Sequence, residues 1–245
     1  MTGNEAIILA GGLGTRLRSA VPDLPKCMAP VNGRPFLSYV IDHFQQQGIE
    51  KFIFALGYKS EAFENFLASK LSTSNLPGRQ AGYQLSTEEE PLGTGGAIRK
   101  ACALAEGKTV IVANGDTLFK INYVKLLSFH HMCAANCTIS LKPMRNFNRY
   151  GAVELNKDYS IKSFQEKKHY SEGLINGGVY ALHAEKFRGE DLPEKFSFEN
   201  DYLEKYYSSR RIYGVVQDEY FIDIGIPEDY NRAQAELGSG SGKYY

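Results

Sequence analysis

Apolar positions follow two different rhythms along this chain, and the change falls near Cys137. Before it, short unbroken apolar runs alternate with longer segments whose apolar residues recur every three or four positions. Ala6-Ile7-Ile8-Leu9 is one such run, and its lack of alternation predicts a parallel strand buried on both faces. Lys51 to Leu56, Tyr83 to Thr87 and Thr109 to Ala113 are further strands. Between them, Pro35 to Gln47 carries Phe36, Leu37, Val40, Ile41 and Phe44 at helical spacing. Pro35 suits the first turn of that helix and Gly48 its C-terminal cap. Ser60 caps a helix through Lys70 that turns Phe63, Phe66 and Leu67 inward. Thr94 to Ala105 forms another, and Asn122 caps one running to about Ala134. This β-α-β-α order predicts an α/β fold, a Rossmann-like mixed but mostly parallel sheet with helices on both faces.

After Cys137 the connections shorten. Thr138 to Lys142, Ala152 to Leu155, Ile161 to Phe164 and Gly177 to Leu182 read as strands that extend the sheet in antiparallel or mixed fashion. Ser197 to Ser208 is a helix with Phe198, Tyr202, Leu203 and Tyr206 on one side. Val215-Val216 and Phe221-Ile222 are short strands, and Pro227 opens a last helix. One domain over 1–237 is expected, with a nucleotide-binding half to about 135 and a sugar-binding half from about 136. Residues 238–245 read as a flexible tail, rich in Gly and Ser.

Composition narrows the partners. Lys+Arg and Asp+Glu each total 28 in 245 residues, so there is no basic excess to hold a nucleic acid polymer. No apolar run approaches membrane-spanning length and no signal peptide opens the chain, so a cytoplasmic location without membrane association is expected. Assembly as a homo-oligomer is left open. Cys133 and Cys137 are one helical turn apart, but no second pair or histidine pattern completes a zinc site.

The candidate chemistry begins where the first strand ends. Leu9-Ala10-Gly11-Gly12-Leu13-Gly14-Thr15-Arg16-Leu17 offers bare backbone N–H groups to phosphate oxygens, and Arg16 and Lys26 add two cations. A P-loop would need Lys-Ser or Lys-Thr after the glycines, and there is none. A dinucleotide fingerprint beginning at Gly12 would need its third glycine where Leu17 stands, and the next strand ends in Gly57-Tyr58 with no carboxylate for a ribose. Asn114-Gly115-Asp116 follows another buried strand, so it opens into the same crevice.

These segments carry a resemblance. G-G-L-G-T-R-L followed by P-K-C-M-A-P-V resembles the signature of the sugar-1-phosphate nucleotidyltransferases. Pro91 to Ala97, Asn114 to Asp116, Phe164 to Lys167 and Phe221 to Tyr230 fit in the same order, from about Glu5 to about Leu237. Within the family the chain most resembles the D-glycero-α-D-manno-heptose 1-phosphate guanylyltransferases, through P-K-C-M-A-P-V-N-G-R-P-F-L, R-Y-G-A-V, I-N-G-G-V-Y and F-S-F-E-N-D-Y-L. The resemblance implies the nucleotide-diphospho-sugar transferase fold. It also implies transfer of a nucleotidyl group from GTP or another NTP to a sugar 1-phosphate, with Mg²⁺ as cofactor.

That chemistry asks for cations and a metal rather than a general base. The attacking phosphate monoester has a second pKa near ~6 and is already anionic at neutral pH. The resemblance implies Asp116 and Asp223 as metal ligands, Arg16 on the leaving pyrophosphate, and Lys26 on the sugar phosphate and α-phosphate. Nucleotide binding is expected at Ala10, Gly11, Gly12, Gly14, Thr15, Glu88, Gly93, Thr94, Asn114 and Asp116. Gly93, Gly95 and Gly96 are expected to let backbone approach the base ring. Sugar binding is expected at Gly151, Glu166, Lys167, Asn176 and Glu199, with Tyr150 either beside the sugar or in the core. Glu199 is equally readable as the acid of a helix N-terminus, and Glu88 as part of the solvated run Glu88-Glu89-Glu90. His130 and His131 read as structural. Cys27 is either silent or a thiol-reagent target. A uridylyl- or thymidylyltransferase of a hexose 1-phosphate, a non-catalytic sugar-nucleotide-binding paralogue and a nicotinamide-dependent oxidoreductase are the competing readings.

Overall fold

In the computed structural model, residues 5–11, 25–57, 61–72 and 82–238 are described. The first apolar run forms β1 (Glu5–Leu9). A tiny hairpin follows, β2 (Pro30–Val31) and β3 (Arg34–Pro35), and leads into α1 (Phe36–Gln46). All five apolar residues read as inward in α1 are buried. Gly48 closes it in the left-handed region, at φ 86°, which costs a residue without Cβ little. Then come β4 (Lys51–Leu56), α2 (Glu61–Ser72), β5 (Gly82–Thr87), α3 (Gly93–Cys102), β6 (Thr109–Asn114), β7 (Thr117–Phe119) and α4 (Tyr123–Met132). Asn122 caps α4, its side chain accepting from the Lys125 N–H at 2.8 Å. Ser60 and its expected cap lie outside the described residues.

The second half comprises β8 (Cys137–Phe147), β9 (Ala152–Leu155), β10 (Ile161–Phe164), β11 (Tyr170–His183) and the short α5 (Ala184–Arg188). After these, Phe198–Leu203 forms a π-helix continued by α6 (Glu204–Tyr206), then β12 (Ile212–Val216), β13 (Phe221–Asp223) and α7 (Pro227–Gly238). The segment expected as one regular helix from Ser197 is therefore wound wider at its start, with Ser197 as its cap. β8 and β11 run well past their expected ends, because they pair with each other along nearly their full length. α3 stops three residues short of Ala105. Gly238, assigned to the tail, is the last residue of α7, whose side-chain face packs on β2 through hydrogen bonds from Gln234 and Tyr230 to the Pro30 carbonyl.

Among the described residues, nine strands form one sheet. β1 lies between β4 and β6, both parallel to it, and β5 pairs with β4 in parallel at the edge. β11 runs antiparallel to β6 on one side and to β8 on the other, and β12 adds to β8 in parallel. Beyond the end of β6, β9 takes its place against β11 at Leu174–Ile175. The register of β11 against β8 slips between Asn176 and Tyr180, at the point where β11 changes partner.

The unbroken apolar runs are explained by two cores, one on each face. Ala6 and Ile8 pack with α1, α2, α4 and Ala233 of α7, whereas Ile7 between them packs with α3, α5 and the π-helix. The period of two along a strand sends neighbours to opposite faces, and here both faces are covered. Among the described residues, no helix is long and apolar enough to cross a membrane.

Candidate active site

The C-terminal ends of β1 and β6 meet where Gly115 N–H donates to the Leu9 carbonyl at 2.9 Å. A Cβ on Gly115 would stand 2.8 Å from that same oxygen, so only glycine lets the two strand ends join this closely. Asp116 follows at once and emerges into the crevice. Its partner comes from far along the chain through a short ladder: β13 pairs antiparallel with β7, placing Asp223 opposite Thr117. The Ile224 N–H donates to the Asp116 carbonyl at 3.1 Å and fastens the same junction.

Lys26 reaches this pair from the other side. Residues Lys26–Met28 form a single 3₁₀ turn whose Cys27 and Met28 are buried, so the turn is anchored by its apolar members and turns the ammonium outward. Lys26 Nζ pairs with Asp116 Oδ2 and lies 3.5 Å from Asp223 Oδ1. Side-chain exposures of 17%, 30% and 20% for Lys26, Asp116 and Asp223 make this a sheltered charge cluster, less screened than a surface pair. Each carboxylate is further fixed. Thr117 Oγ1 donates to Asp116 Oδ1 at 3.3 Å, Gly225 N–H to Asp223 Oδ1 at 2.7 Å, and Tyr150 Oη to Asp223 Oδ2 at 3.3 Å. Burial, and Asp223 beside it, push the Tyr150 phenol above its ordinary value, so it stays a donor. Gly225 has no room for a side chain, since a Cβ would lie 2.9 Å from Asp223 Oδ1 and 3.1 Å from Lys26 Nζ.

Among the described residues, two cavities open on this cluster. The larger, about 330 Å³, is lined by Asn114, Thr117, Tyr150, Gly151, Lys167, Asn176, Glu199 and Asp223 among others. The smaller, about 210 Å³, is lined by Leu9, Ala10, Lys26, Cys27, Thr94, Asn114, Asp116 and Glu199. Asn114 and Glu199 belong to both, so the two cavities adjoin at the charged cluster. Most residues expected to bind sugar therefore share the larger cavity, and Ala10, Thr94, Asn114 and Asp116 share the smaller. Gly12, Gly14, Thr15 and Arg16 lie outside the described residues.

Several residues sit differently from expectation. Glu166 is exposed and lines neither cavity; its neighbour Gln165 lines the larger one instead. Glu88 lines neither, and its Oε2 accepts from the Leu92 N–H at 3.0 Å, closing the turn before α3. The glycines of 93–96 serve the protein's own packing. A Cβ on Gly93, at φ 72°, would stand 2.5 Å from the Phe196 carbonyl, and one on Gly96 2.5 Å from that of Glu194; one on Gly95 would overlap the Phe196 ring. The 194–198 segment fills the space that a Cβ on each of them would need. Gly11 likewise packs on the backbone of Gly57. Gly151 lines the cavity, but its tight contact is the Gln165 carbonyl, 2.5 Å from where a Cβ would be.

Glu199 turns out to face the site. Thr94 Oγ1 donates to Glu199 Oε2 at 2.8 Å while accepting from the Phe198 N–H at 2.8 Å, which ties the start of α3 to the π-helix. Asn176 has its amide engaged on both sides, donating to Tyr180 Oη at 2.9 Å and accepting from the Gly178 N–H at 3.0 Å. Cys27 Sγ lies 3.8 Å from the Ala10 carbonyl, and burial, reinforced by Asp116, pushes its thiol up to about 12. It is a buried thiol held in the neutral form, which favours the silent reading. His130 and His131 are structural as expected, each hydrogen-bonding a strand threonine, Thr138 and Thr109. Sequence reading missed Thr117, Gln165, Asn200 and Arg149. Thr117 directly follows Asp116 and Arg149 precedes the Tyr150-Gly151 pair, so adjacency to recognised motifs was the available signal.

Chemically, two carboxylates converging on one cation form a hard oxygen donor pair of the kind that holds a small divalent ion between anions. The Lys26 ammonium between them shows that the position suits positive charge.

Comparison with known proteins agrees with this geometry. The family described as nucleotidyl transferase matches residues 5–240. A D-glycero-alpha-D-manno-heptose 1-phosphate guanylyltransferase of Aneurinibacillus thermoaerophilus is 48% identical over 233 residues, covering 95% of this chain and 98% of the relative. One of Campylobacter jejuni is 41% identical over 227 residues, covering 92% and 96%. The crystal structure of HddC from Yersinia pseudotuberculosis superposes with a TM-score of 0.83 at 36% identity, covering 95% of this chain and 99% of that one. A second structure of HddC, complexed with GMP-PN, superposes equally well at 35% identity. A single family thus spans the sheet, both cavities and the charged cluster between them, and the chain belongs to the nucleotidyl transferase family.

Proposed function

We propose that this protein transfers the guanylyl group of GTP to D-glycero-α-D-manno-heptose 1-phosphate, giving GDP-heptose and pyrophosphate with Mg²⁺ as cofactor. The observation that carries the reading is the Lys26 ammonium held between Asp116 and Asp223 where the two cavities adjoin. The relatives named above as heptose 1-phosphate guanylyltransferases support the choice of base and sugar, as does the HddC complex with GMP-PN.

The nucleotide would occupy the smaller cavity by Ala10, Thr94 and Asn114, and the sugar phosphate the larger one by Lys167, Asn176 and Glu199. Both reacting groups are anions, so the barrier is their mutual repulsion, and orientation with charge neutralisation lowers it. Lys26 would leave the carboxylates and bridge the incoming phosphate and the α-phosphate. Asp116 and Asp223 would hold Mg²⁺ in its stead, and the ion when bound neutralises charge on the transferring phosphate. No residue need act as general base, because the attacking phosphate is already ionised. Arg16 would hold the departing pyrophosphate.

Pyrophosphate release from GTP, ATP, UTP and dTTP, each with the heptose 1-phosphate and with glucose 1-phosphate, tests the proposal. GTP with the heptose phosphate is expected to give the highest kcat/KM. Faster turnover of UTP or dTTP with glucose 1-phosphate would replace it by the uridylyl- or thymidylyltransferase reading, and no turnover at all would favour a binding protein.

A further inference from the structure

Asp223 is held in an unequal way. Its Oδ2 has a partner on each side, accepting from Tyr150 Oη at 3.3 Å and lying 3.9 Å from the Arg149 guanidinium, whereas Oδ1 accepts from the Gly225 N–H at 2.7 Å and has the Lys26 ammonium, at 3.5 Å, on its other side. Arg149 is itself fixed. It pairs with Asp229 at the start of α7 and lies 5.4 Å from the centre of the Tyr150 ring. Arg149 does not line either cavity, so it acts from behind the carboxylate. Asp229, only 14% exposed, is shared between Arg149 and, at 3.3 Å, Arg232 of α7, so it holds the Arg149 guanidinium in place and offsets part of its charge.

We propose that Arg149, with Tyr150, is a positioning pair that ties up Oδ2 and leaves Asp223 a single oxygen, Oδ1, to offer a divalent ion. This rests on the metal role proposed above for Asp223. Asp116 is arranged in the same sense, with Oδ1 taken by Thr117 and Oδ2 turned to the cation position. One-oxygen carboxylates suit the small octahedral shell of Mg²⁺ or Mn²⁺. Ca²⁺ prefers more ligands and readily takes both oxygens of a carboxylate. The clamp therefore selects for the small ion as well as holding the ligand still.

The test measures metal binding directly. Mn²⁺ is titrated into the full chain with a non-hydrolysable GTP analogue present, free Mn²⁺ is read by electron paramagnetic resonance, and Ca²⁺ is then used to displace it. The double variant Arg149→Met with Asp229→Asn removes the clamp at constant net charge. It is expected to weaken Mn²⁺ binding by about tenfold, the lower end of the range for losing a residue that orients a metal ligand. Ca²⁺ affinity should fall far less, so that the preference for Mn²⁺ collapses. Tyr150→Phe, a smaller change that spares the fold, should move the same ratio part of the way, and Arg149→Lys should restore part of it. A Mn²⁺-to-Ca²⁺ ratio equal to wild type in the double variant and in Tyr150→Phe would overturn the clamp while leaving the transferase reading intact. Wild-type protein that binds no Mn²⁺ beside the nucleotide would overturn the metal role and the clamp together.

Discussion

His130 illustrates how far a single side chain can depart from its solution behaviour. It is 2% exposed between α4 and β8, and Nδ1 shares a hydrogen bond with Thr138 Oγ1 at 3.0 Å. Burial first, then His131, His183 and Lys186 around it, lower its pKa from 6.5 to about 3. The unfolded chain thus binds a proton on this ring between those two values and the folded chain does not. Its contribution to stability is complete above about pH 6.5 and is lost as pH falls towards about 3. Denaturant melts across this window should show stability falling with pH, and His130→Gln should flatten the fall; parallel profiles for the two proteins would contradict the assignment. At this scale the sequence was legible where a residue's chemistry was unusual for its place, as with Asp116 and Lys26. Cys27 left two readings open, because burial decides thiol reactivity and burial depends on how the 3₁₀ turn packs. Arg149 stood in the R-Y-G-A-V motif without an assigned role, since its partners Asp223 and Asp229 are both far away in sequence.

At the scale of elements, α3 and the 194–198 segment behave as one seat. The Gly95 N–H donates to the Phe196 carbonyl at 2.9 Å, the Phe196 N–H to the Leu92 carbonyl at 3.0 Å, and the Arg99 guanidinium lies over the Phe196 ring. Gly95→Ala should cost about 1–3 kcal/mol of stability, the usual range for forcing atoms into a filled space. It should also disturb Thr94 and Glu199, which this seat positions. Chemical denaturation checks the first effect, and an unchanged midpoint would show that the segment can simply move away. The strands and helices of the first half were legible because unbroken apolar runs and helical spacing are local signals. Phe221-Ile222 was legible as a short strand, but β7 and its pairing with β13 were not. Three-residue strands carry no periodicity of their own, and these two are joined only by long-range pairing. The glycines of 93–96 were legible as a demand for space, but the sequence could not say what fills it.

The whole molecule places its chemistry by topology. Parallel β1 and β6 end together, the partner change in β11 opens a gap beside Asn114, and the β7–β13 ladder returns Asp223 to the same spot. Open sheets of this kind collect ligands beyond the carboxyl ends of their strands. The apolar pattern alone reached that crevice, and the family motifs pointed to the residues around it. What remained hidden was the division into two adjoining cavities, which depends on the π-helix carrying Glu199 and on the turn that draws in Gln165. The proposed chemistry turns on Lys26, between Asp116 and Asp223, drawing two anions together. Single-turnover transfer from GTP at saturating substrates, compared for wild type, Lys26→Met and Asp116→Asn, tests it most directly. Both variants should keep the fold by circular dichroism yet react about 10²-fold or more slowly, the scale seen when a group that stabilises transition-state charge is removed. Near-normal transfer in either variant would remove that residue from the proposed role.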